Sequence, residues 1–110
     1  MWFSTGGNEV KFGNLRANPH VVLTTGCNRW DGGLDVVVEG DAVQVTDDAV
    51  LGRVARAFAA KWDGRWQWIA RDGCFRDADG RGEAMVFAVT PAKVFAHAKG
   101  DPFGATTHRF

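Results

Sequence analysis

The chain has 110 residues, and its 13 basic and 13 acidic side chains give a formal net charge of zero. Apolar residues make up 45% of it, which is typical of one globular domain spanning residues 1–110 and excludes disordered and collagen-like classes. Interleaved basic and acidic residues argue against a nucleic-acid partner or a membrane surface, and no apolar run approaches the roughly 20 residues that span a bilayer.

The first 33 residues contain three short elements and one connection, each bounded by turn-forming residues. They are, in chain order, a strand from Met1 to Thr5, a helix from Val10 to Ala17, a strand from His20 to Thr25 and a turn-rich connection from Gly26 to Gly33. Asn18-Pro19 ends the helix, because the residue before a proline avoids the helical region.

The strongest strand signal runs from Leu34 to Val45, where polar and apolar residues alternate. One face carries Asp35, Val37, Glu39 and Asp41, and the other carries Val36, Val38, Gly40 and Ala42. A glycine inside a strand marks a bulge or a close approach of another backbone, so Gly40 predicts one of the two.

A long helix is predicted from Thr46 to Trp62, with Thr46 or Asp47 as its N-cap. Apolar residues recur in it at helical spacing, which predicts one buried stripe with Trp62 in the core. The stripe consists of Val50, Leu51, Val54, Phe58 and Trp62.

The second half is predicted as strands separated by polar loops. In chain order it has a short ordered piece from Trp66 to Ile69, a surface loop from Arg71 to Gly82, strands from Ala84 to Val89 and from Lys93 to Ala98 joined at Thr90-Pro91, and an irregular tail from Lys99 to Phe110. Several strands with one long and one short helix predict a mainly β, α+β fold, a small barrel or sandwich with a helix packed on it.

Three segments carry a resemblance to a known family. They are Trp2 to Gly6 with Asn8, Lys11, Asn14-Leu15, Asn18-Pro19 and Val21 to Leu23; Asp35 to Gly40; and Val86 to Pro91 with Lys93 to Ala96, Lys99-Gly100 and the tail from Phe103. The ordered set resembles the split β-barrel flavoproteins related to pyridoxamine 5′-phosphate oxidase. The resemblance implies a split barrel that pairs as a homodimer, with FMN, or alternatively the deazaflavin F420, in a groove between subunits.

The resemblance also implies eight cofactor-binding residues. They are Ser4, Thr5, Lys11, Asn14, Asp35, Trp66, Trp68 and Arg109. Lys11 takes the position that meets the cofactor phosphate, and it opens a helix whose N-terminal amides favour an anion; Asn14 follows one turn later on the same face. Asp35 takes the strand position where the oxidases carry a glutamine that reaches the flavin.

Ser4 and Thr5 are implied to contact the isoalloxazine or the ribityl chain. Trp66, Trp68 and Arg109 lie in segments that approach the flavin from the other subunit in relatives. Read without the resemblance, Ser4 and Thr5 are ordinary turn formers, and the tryptophans belong to a core or a dimer interface.

Two departures from the family pattern change the expectations. Relatives begin with a helix and two strands ahead of the segment that matches Trp2-Phe3, so we expect an N-terminally short member that lacks the usual first strands and has an exposed strand edge. The tail from Thr106 to Phe110 is not the Arg-Leu-His motif that recognises pyridoxal phosphate, so vitamin B6 chemistry is not expected.

The resemblance therefore implies an FMN- or F420-dependent oxidoreductase that acts on a small organic substrate. No catalytic residue and no metal site is predicted, because no Ser-His-Asp or Cys-His set is legible and the cofactor supplies the chemistry. The alternatives are a non-catalytic flavin- or ligand-binding homodimer and a dimeric barrel without a cofactor. Two isolated cysteines, Cys27 and Cys74, predict the reducing cytoplasm.

Overall fold

A computed structural model describes residues 1–110 and shows mostly antiparallel β structure with two helices. The elements are β1 (Trp2–Thr5), α1 (Val10–Ala17), β2 (His20–Thr25), β3 (Gly33–Val45), α2 (Asp48–Lys61), β4 (Trp68–Arg71), β5 (Cys74–Asp77), β6 (Glu83–Lys99) and β7 (Gly104–Arg109). The hydrogen-bonded strand order is β2-β3-β6-β5-β4, and β1 and β7 also pair with β6. The α+β class is confirmed, and the split barrel stays a prediction. Neither helix is long and apolar enough to cross a membrane.

The chain divides into two compact units. The first unit comprises Met1–Pro19 and Val43–Ala88, and the second comprises His20–Ala42 and Val89–Phe110. Both β3 and β6 contribute residues to both units. The assignment of residues 1–110 to a single domain stays a prediction.

The core of the first unit forms where α2 packs on the strands. Its buried members are Leu51, Val54, Ala55, Phe75, Ala84 and Val86. Around it β1 pairs antiparallel with the start of β6, from Trp2 opposite Ala88 to Thr5 opposite Met85, and β4 pairs with β5. Phe75 and Leu51 are fully buried, so this core depends on large side chains that have left water completely.

Asp47 fixes the beginning of α2. Its Oδ1 accepts hydrogen bonds from the amides of Ala49 (2.9 Å) and Val50 (3.1 Å), so Asp47 is the N-cap that the sequence left open between two residues. The helix ends at Lys61, and Trp62 is its C-cap. The prediction that Trp62 lies in the core is wrong: the indole is 41% exposed, because it follows the last helical residue and packs edge-on to Phe58.

The segment from Arg71 to Gly82 is not a plain surface loop, since it contains β5. β4 and β5 form a hairpin in which Arg71 pairs with Cys74 across the two-residue turn Asp72-Gly73. Both turn residues have positive φ, 55° and 77°, the conformation that Asp-Gly hairpin turns adopt. The hairpin places Phe75 in the core.

The second unit contains two antiparallel pairs. β2 pairs with β3 from His20 opposite Asp41 to Thr25 opposite Val36, and the later part of β6 pairs with β7 from Lys93 opposite Arg109 to Ala98 opposite Gly104. Two predictions are wrong here. The strands predicted on either side of Thr90-Pro91 are one strand, because the φ of proline suits extended backbone. The tail predicted as irregular contains β7.

Gly40 lies where β3 comes close to β6. A Cβ built on it would meet the carbonyl oxygen of Thr90, and it would lie 2.9 Å from Cγ1 of Val89. Of the two meanings predicted for Gly40, the close backbone approach is confirmed. Val38, Gly40 and Ala42 are all buried, as the alternation along this strand predicts.

Candidate functional site

One cavity of the first unit combines a polar side with an aromatic side. Its volume is about 420 Å³. The lining consists of Ser4, Thr5, Gly6, Asn8, Glu9, Phe58, Trp62, Trp66, Trp68, Glu83 and Ala84. The end of β1 and the turn before α1 supply the polar side, and the end of α2 with the segment entering β4 supplies the aromatic side.

The aromatic side is a short stack of rings. The indoles of Trp66 and Trp68 lie nearly parallel, with centroids 6.5 Å apart and an interplanar angle of 9°. Trp68 in turn stacks on the buried Phe75 at 5.7 Å and 16°. Because Phe75 is fixed in the core, it holds Trp68 in place, while Trp66 is 56% exposed. The stack offers a planar apolar surface of the kind on which another flat ring packs.

The polar side is organised around the carboxylate of Glu9. Its Oε2 accepts a hydrogen bond from Oγ1 of Thr5 at 3.0 Å and another from Nζ of Lys11. Thr5 is only 2% exposed, so its hydroxyl is held in one place. The hydrogen bond from Lys11, followed by that from Thr5, lowers the pKa of Glu9 below its ordinary value. Glu9 is therefore a carboxylate at neutral pH.

A second carboxylate, that of Glu83, also belongs to the lining of the cavity. Nη1 of Arg76 is 3.2 Å from its Oε2, and Nη2 of the same guanidinium is 3.8 Å from Asp72. No lysine or arginine lines the cavity itself. The cations paired with the two lining carboxylates are Lys11 and Arg76.

The model of a known family matches most of the chain. This family is described as pyridoxamine 5′-phosphate oxidase, and its model matches residues 1–98. The chain belongs to this family. Membership in the pyridoxamine 5′-phosphate oxidase family indicates a flavin-binding function of the oxidoreductase type. A comparison with curated proteins gave no match to the chain.

Four of the eight residues implied by the resemblance to the pyridoxamine 5′-phosphate oxidase family lie together. Ser4 and Thr5 face the cavity from β1, and Trp66 and Trp68 face it from the segment that enters β4. All four belong to one chain, whereas the resemblance implied that the tryptophans approach from the other subunit. Their role toward a cofactor stays a prediction.

Lys11 and Asn14 do not line the cavity. Lys11 reaches it only through the carboxylate of Glu9, which it contacts. Asn14 is exposed in α1, and its backbone carbonyl accepts the amide of Asn18 at 2.9 Å where the helix ends. The resemblance implied that Lys11 contacts the cofactor phosphate, and this role of Lys11 stays a prediction.

Asp35 and Arg109 belong to the second unit. Oδ1 of Asp35 accepts the amide of Cys27 at 3.0 Å, and Oδ2 lies 3.1 Å from Nζ of Lys99, which also donates to the carbonyl of Cys27 at 2.7 Å. The Cys27 amide, and next Lys99, lower the pKa of Asp35, so its charge anchors the loop before β3. Arg109 is exposed on β7 opposite Lys93. The cofactor roles of both stay predictions.

Sequence reasoning gave no site role to seven of the eleven lining residues, and four of the seven carry a charge or an aromatic ring. Glu9, Phe58, Trp62 and Glu83 all face the cavity. Phe58 and Trp62 are four positions apart, the spacing that places two rings on one face of a helix, and this signal was assigned to the core instead. Glu9 precedes Lys11 by two residues, and no sequence pattern relates it to Thr5.

Proposed function

We propose that the chain is an FMN-dependent oxidoreductase, with the deazaflavin F420 as the alternative cofactor, and that a small organic molecule is its substrate. Family membership supports the flavin. The observation that carries the proposal is the single cavity in which Ser4 and Thr5 face Trp66 and Trp68. This brings polar groups and a flat aromatic surface to one place.

The residues of the cavity fit a flavin ring. A tricyclic isoalloxazine is flat, apolar on its faces and polar at one edge. The stacked indoles of Trp66 and Trp68 suit its face, and the hydroxyls of Ser4 and Thr5 suit its polar edge or the ribityl chain. The bound flavin would supply hydride transfer, and the protein would bind and orient it and exclude water.

The phosphate is assigned to Lys11 in this proposal. Its ammonium group belongs to the first turn of α1, and a charge-assisted contact there suits a phosphate oxygen. Asn14 follows one turn later. Because Lys11 contacts Glu9, a phosphate at this ammonium meets that carboxylate as well.

A second candidate function is a non-catalytic flavin- or ligand-binding protein. The two carboxylates that line the cavity favour this function, because each already forms an ion pair. Glu9 pairs with Lys11, and Glu83 pairs with Arg76. Neither is a free general acid or base. Steady-state reduction of an added electron acceptor by the flavin-loaded protein, with a reduced nicotinamide as electron donor, distinguishes the candidates. Turnover supports the oxidoreductase, and stoichiometric binding without turnover supports the second function.

Trp66→Leu should weaken flavin binding, because it removes the exposed ring of the stack. An aromatic pair contributes about 0.5–1.5 kcal/mol beyond its buried area, so we expect the Kd for FMN to rise roughly two- to tenfold. Titration of the protein with FMN, followed by flavin fluorescence, measures it. Trp2→Leu is the matched control, since Trp2 is 44% exposed and does not line the cavity. Equal Kd values for Trp66→Leu and the wild type would exclude this cavity as the flavin site.

We also propose that the chain works as a homodimer in the reducing cytoplasm. The free thiols of Cys27 and Cys74 support the compartment. Exposed aromatic surface supports the dimer: Trp30 and Phe103 stack at 6.1 Å while 78% and 59% exposed. Light scattering at micromolar concentration should give twice the chain mass of 12.0 kDa. A mass of one chain would contradict the dimer.

A further inference from the structure

Glu9 accepts hydrogen bonds from two side-chain donors, Thr5 in the lining of the cavity and Lys11 outside it. Its Oε2 accepts from the buried hydroxyl of Thr5 at 3.0 Å and from the ammonium of Lys11. Both donors were assigned above to the flavin, Thr5 on the sequence resemblance and Lys11 as the phosphate partner. One negatively charged oxygen of the chain therefore already sits where an anionic group of a ligand would bind.

The charges around this position oppose a second anion. Glu9 and Glu83 both line the cavity, and no basic side chain lines it. A phosphate that approaches Lys11 through the cavity meets the Glu9 carboxylate, and like charges at contact distance repel. The Glu9 side chain is 48% exposed, so it has room to swing away, but the move breaks two hydrogen bonds. A ring without a phosphate requires no such move.

We propose that Glu9 is a specificity-determining residue whose carboxylate competes with the phosphate of the ligand for Lys11. This inference rests on the proposed flavin function. Glu9 weakens the binding of a phosphorylated flavin and leaves the binding of the same ring without phosphate unchanged. It thereby sets how strongly the site prefers one to the other.

Glu9→Gln tests the proposal, because glutamine keeps the shape and an acceptor oxygen for Thr5 but loses the charge. The measurement is the Kd for FMN and for riboflavin, which has the same ring and no phosphate, by fluorescence titration. Exposed ion pairs are weak, so we expect the Kd for FMN to fall by about two- to fivefold and that for riboflavin to stay within about 1.5-fold. An unchanged ratio of the two Kd values would overturn the proposal.

Two further variants separate competition from a general charge effect. Glu39→Gln makes the same change of net charge in the second unit, and it should leave the ratio unchanged. In a Lys11→Met background, Glu9→Gln should lose most of its gain, because the donor it frees is gone. If Glu39→Gln raises FMN affinity as much as Glu9→Gln does, or if the gain persists without Lys11, the proposal is wrong.

A titration with inorganic phosphate tests the role of Glu9 even if the protein binds no flavin. If neither FMN nor riboflavin binds any variant, the proposed FMN-dependent function fails, and backbone amide shifts of residues 5–11 during a phosphate titration decide the role of Glu9. Tighter phosphate binding by Glu9→Gln than by the wild type would support the competition. Equal binding would overturn it.

Discussion

Phe75→Ala should lower the free energy of unfolding by about 3–5 kcal/mol, the usual cost of deleting a fully buried phenylalanine. Phe75 is 0% exposed and belongs to the core between α2 and the strands. Its ring meets Phe58 edge-on at 5.8 Å and Trp68 face-on at 5.7 Å, so the substitution leaves a cavity and two rings without their partner. Domains of this size are stable by only about 5–15 kcal/mol, so the variant is expected to be marginal.

Urea denaturation followed by far-ultraviolet circular dichroism measures this loss. Phe110→Ala is the control, since Phe110 is 74% exposed and its replacement should change the unfolding free energy by less than about 1 kcal/mol. Phe75→Leu keeps most of the volume and should fall between the two. If Phe75→Ala and Phe110→Ala unfold at the same urea concentration, the central place of Phe75 in the core is refuted.

The second large effect is expected from Gly40→Ala in β3. The added methyl group would meet the Thr90 carbonyl and lie 2.9 Å from Cγ1 of Val89. A backbone carbonyl cannot rotate away as a flexible side chain can, so β3 and β6 must separate locally. Overpacking of this kind costs about 1–3 kcal/mol, and we expect the upper end of that range.

Gly13→Ala provides the matched control for Gly40→Ala. Gly13 lies in α1 with no atom within 4 Å of the added Cβ, so the same substitution meets open space there. Alanine is the better helix former, and the variant should gain about 0.5–1 kcal/mol. Thermal unfolding should therefore shift in opposite directions for the two variants. A Gly40→Ala protein as stable as the wild type would contradict the close approach of β3 and β6.

The elements that the sequence predicted well have a local cause. α1 runs from Val10 to Ala17 and β2 from His20 to Thr25, as predicted. Asn18-Pro19 separates them, and β-branched residues define the strand, so neighbours in sequence suffice. The burial of Val38, Gly40 and Ala42 in β3 followed from simple alternation.

The missed elements lack such a local cause. β5 holds only two apolar residues, Cys74 and Phe75, among charged neighbours, although Asp72-Gly73 before it is a hairpin signal. Every residue of β7 is exposed, so no alternation of burial marks it, and only its pairing with β6 makes it a strand. Pairing between distant segments is decided by the fold and not by local composition.

The candidate site also contains residues that the sequence predicted and one, Glu9, that it did not. Family resemblance predicted a site role for Ser4, Thr5, Trp66 and Trp68, and the fold brings these four to one cavity although some 60 residues separate the two pairs. It did not identify Glu9. The turn after β1 brings the Glu9 carboxylate to the hydroxyl of Thr5 and the ammonium of Lys11. No pattern of residues in the sequence predicts these two contacts.

The pairing of β1 with β6 has a consequence for the nascent chain. Trp2 lies opposite Ala88 and Thr5 opposite Met85, so β1 is synthesised some 80 residues before the segment that pairs with it. At a translation rate of roughly 5–20 residues per second, β1 waits on the order of 4–16 s for that segment. During that wait the apolar side chains of Trp2 and Phe3 have no partner strand. The β2–β3 hairpin and α2, in contrast, need only neighbouring residues to form. Folding on the ribosome therefore has to join local elements first and this strand late, which is the order that slow, high-contact-order topologies impose.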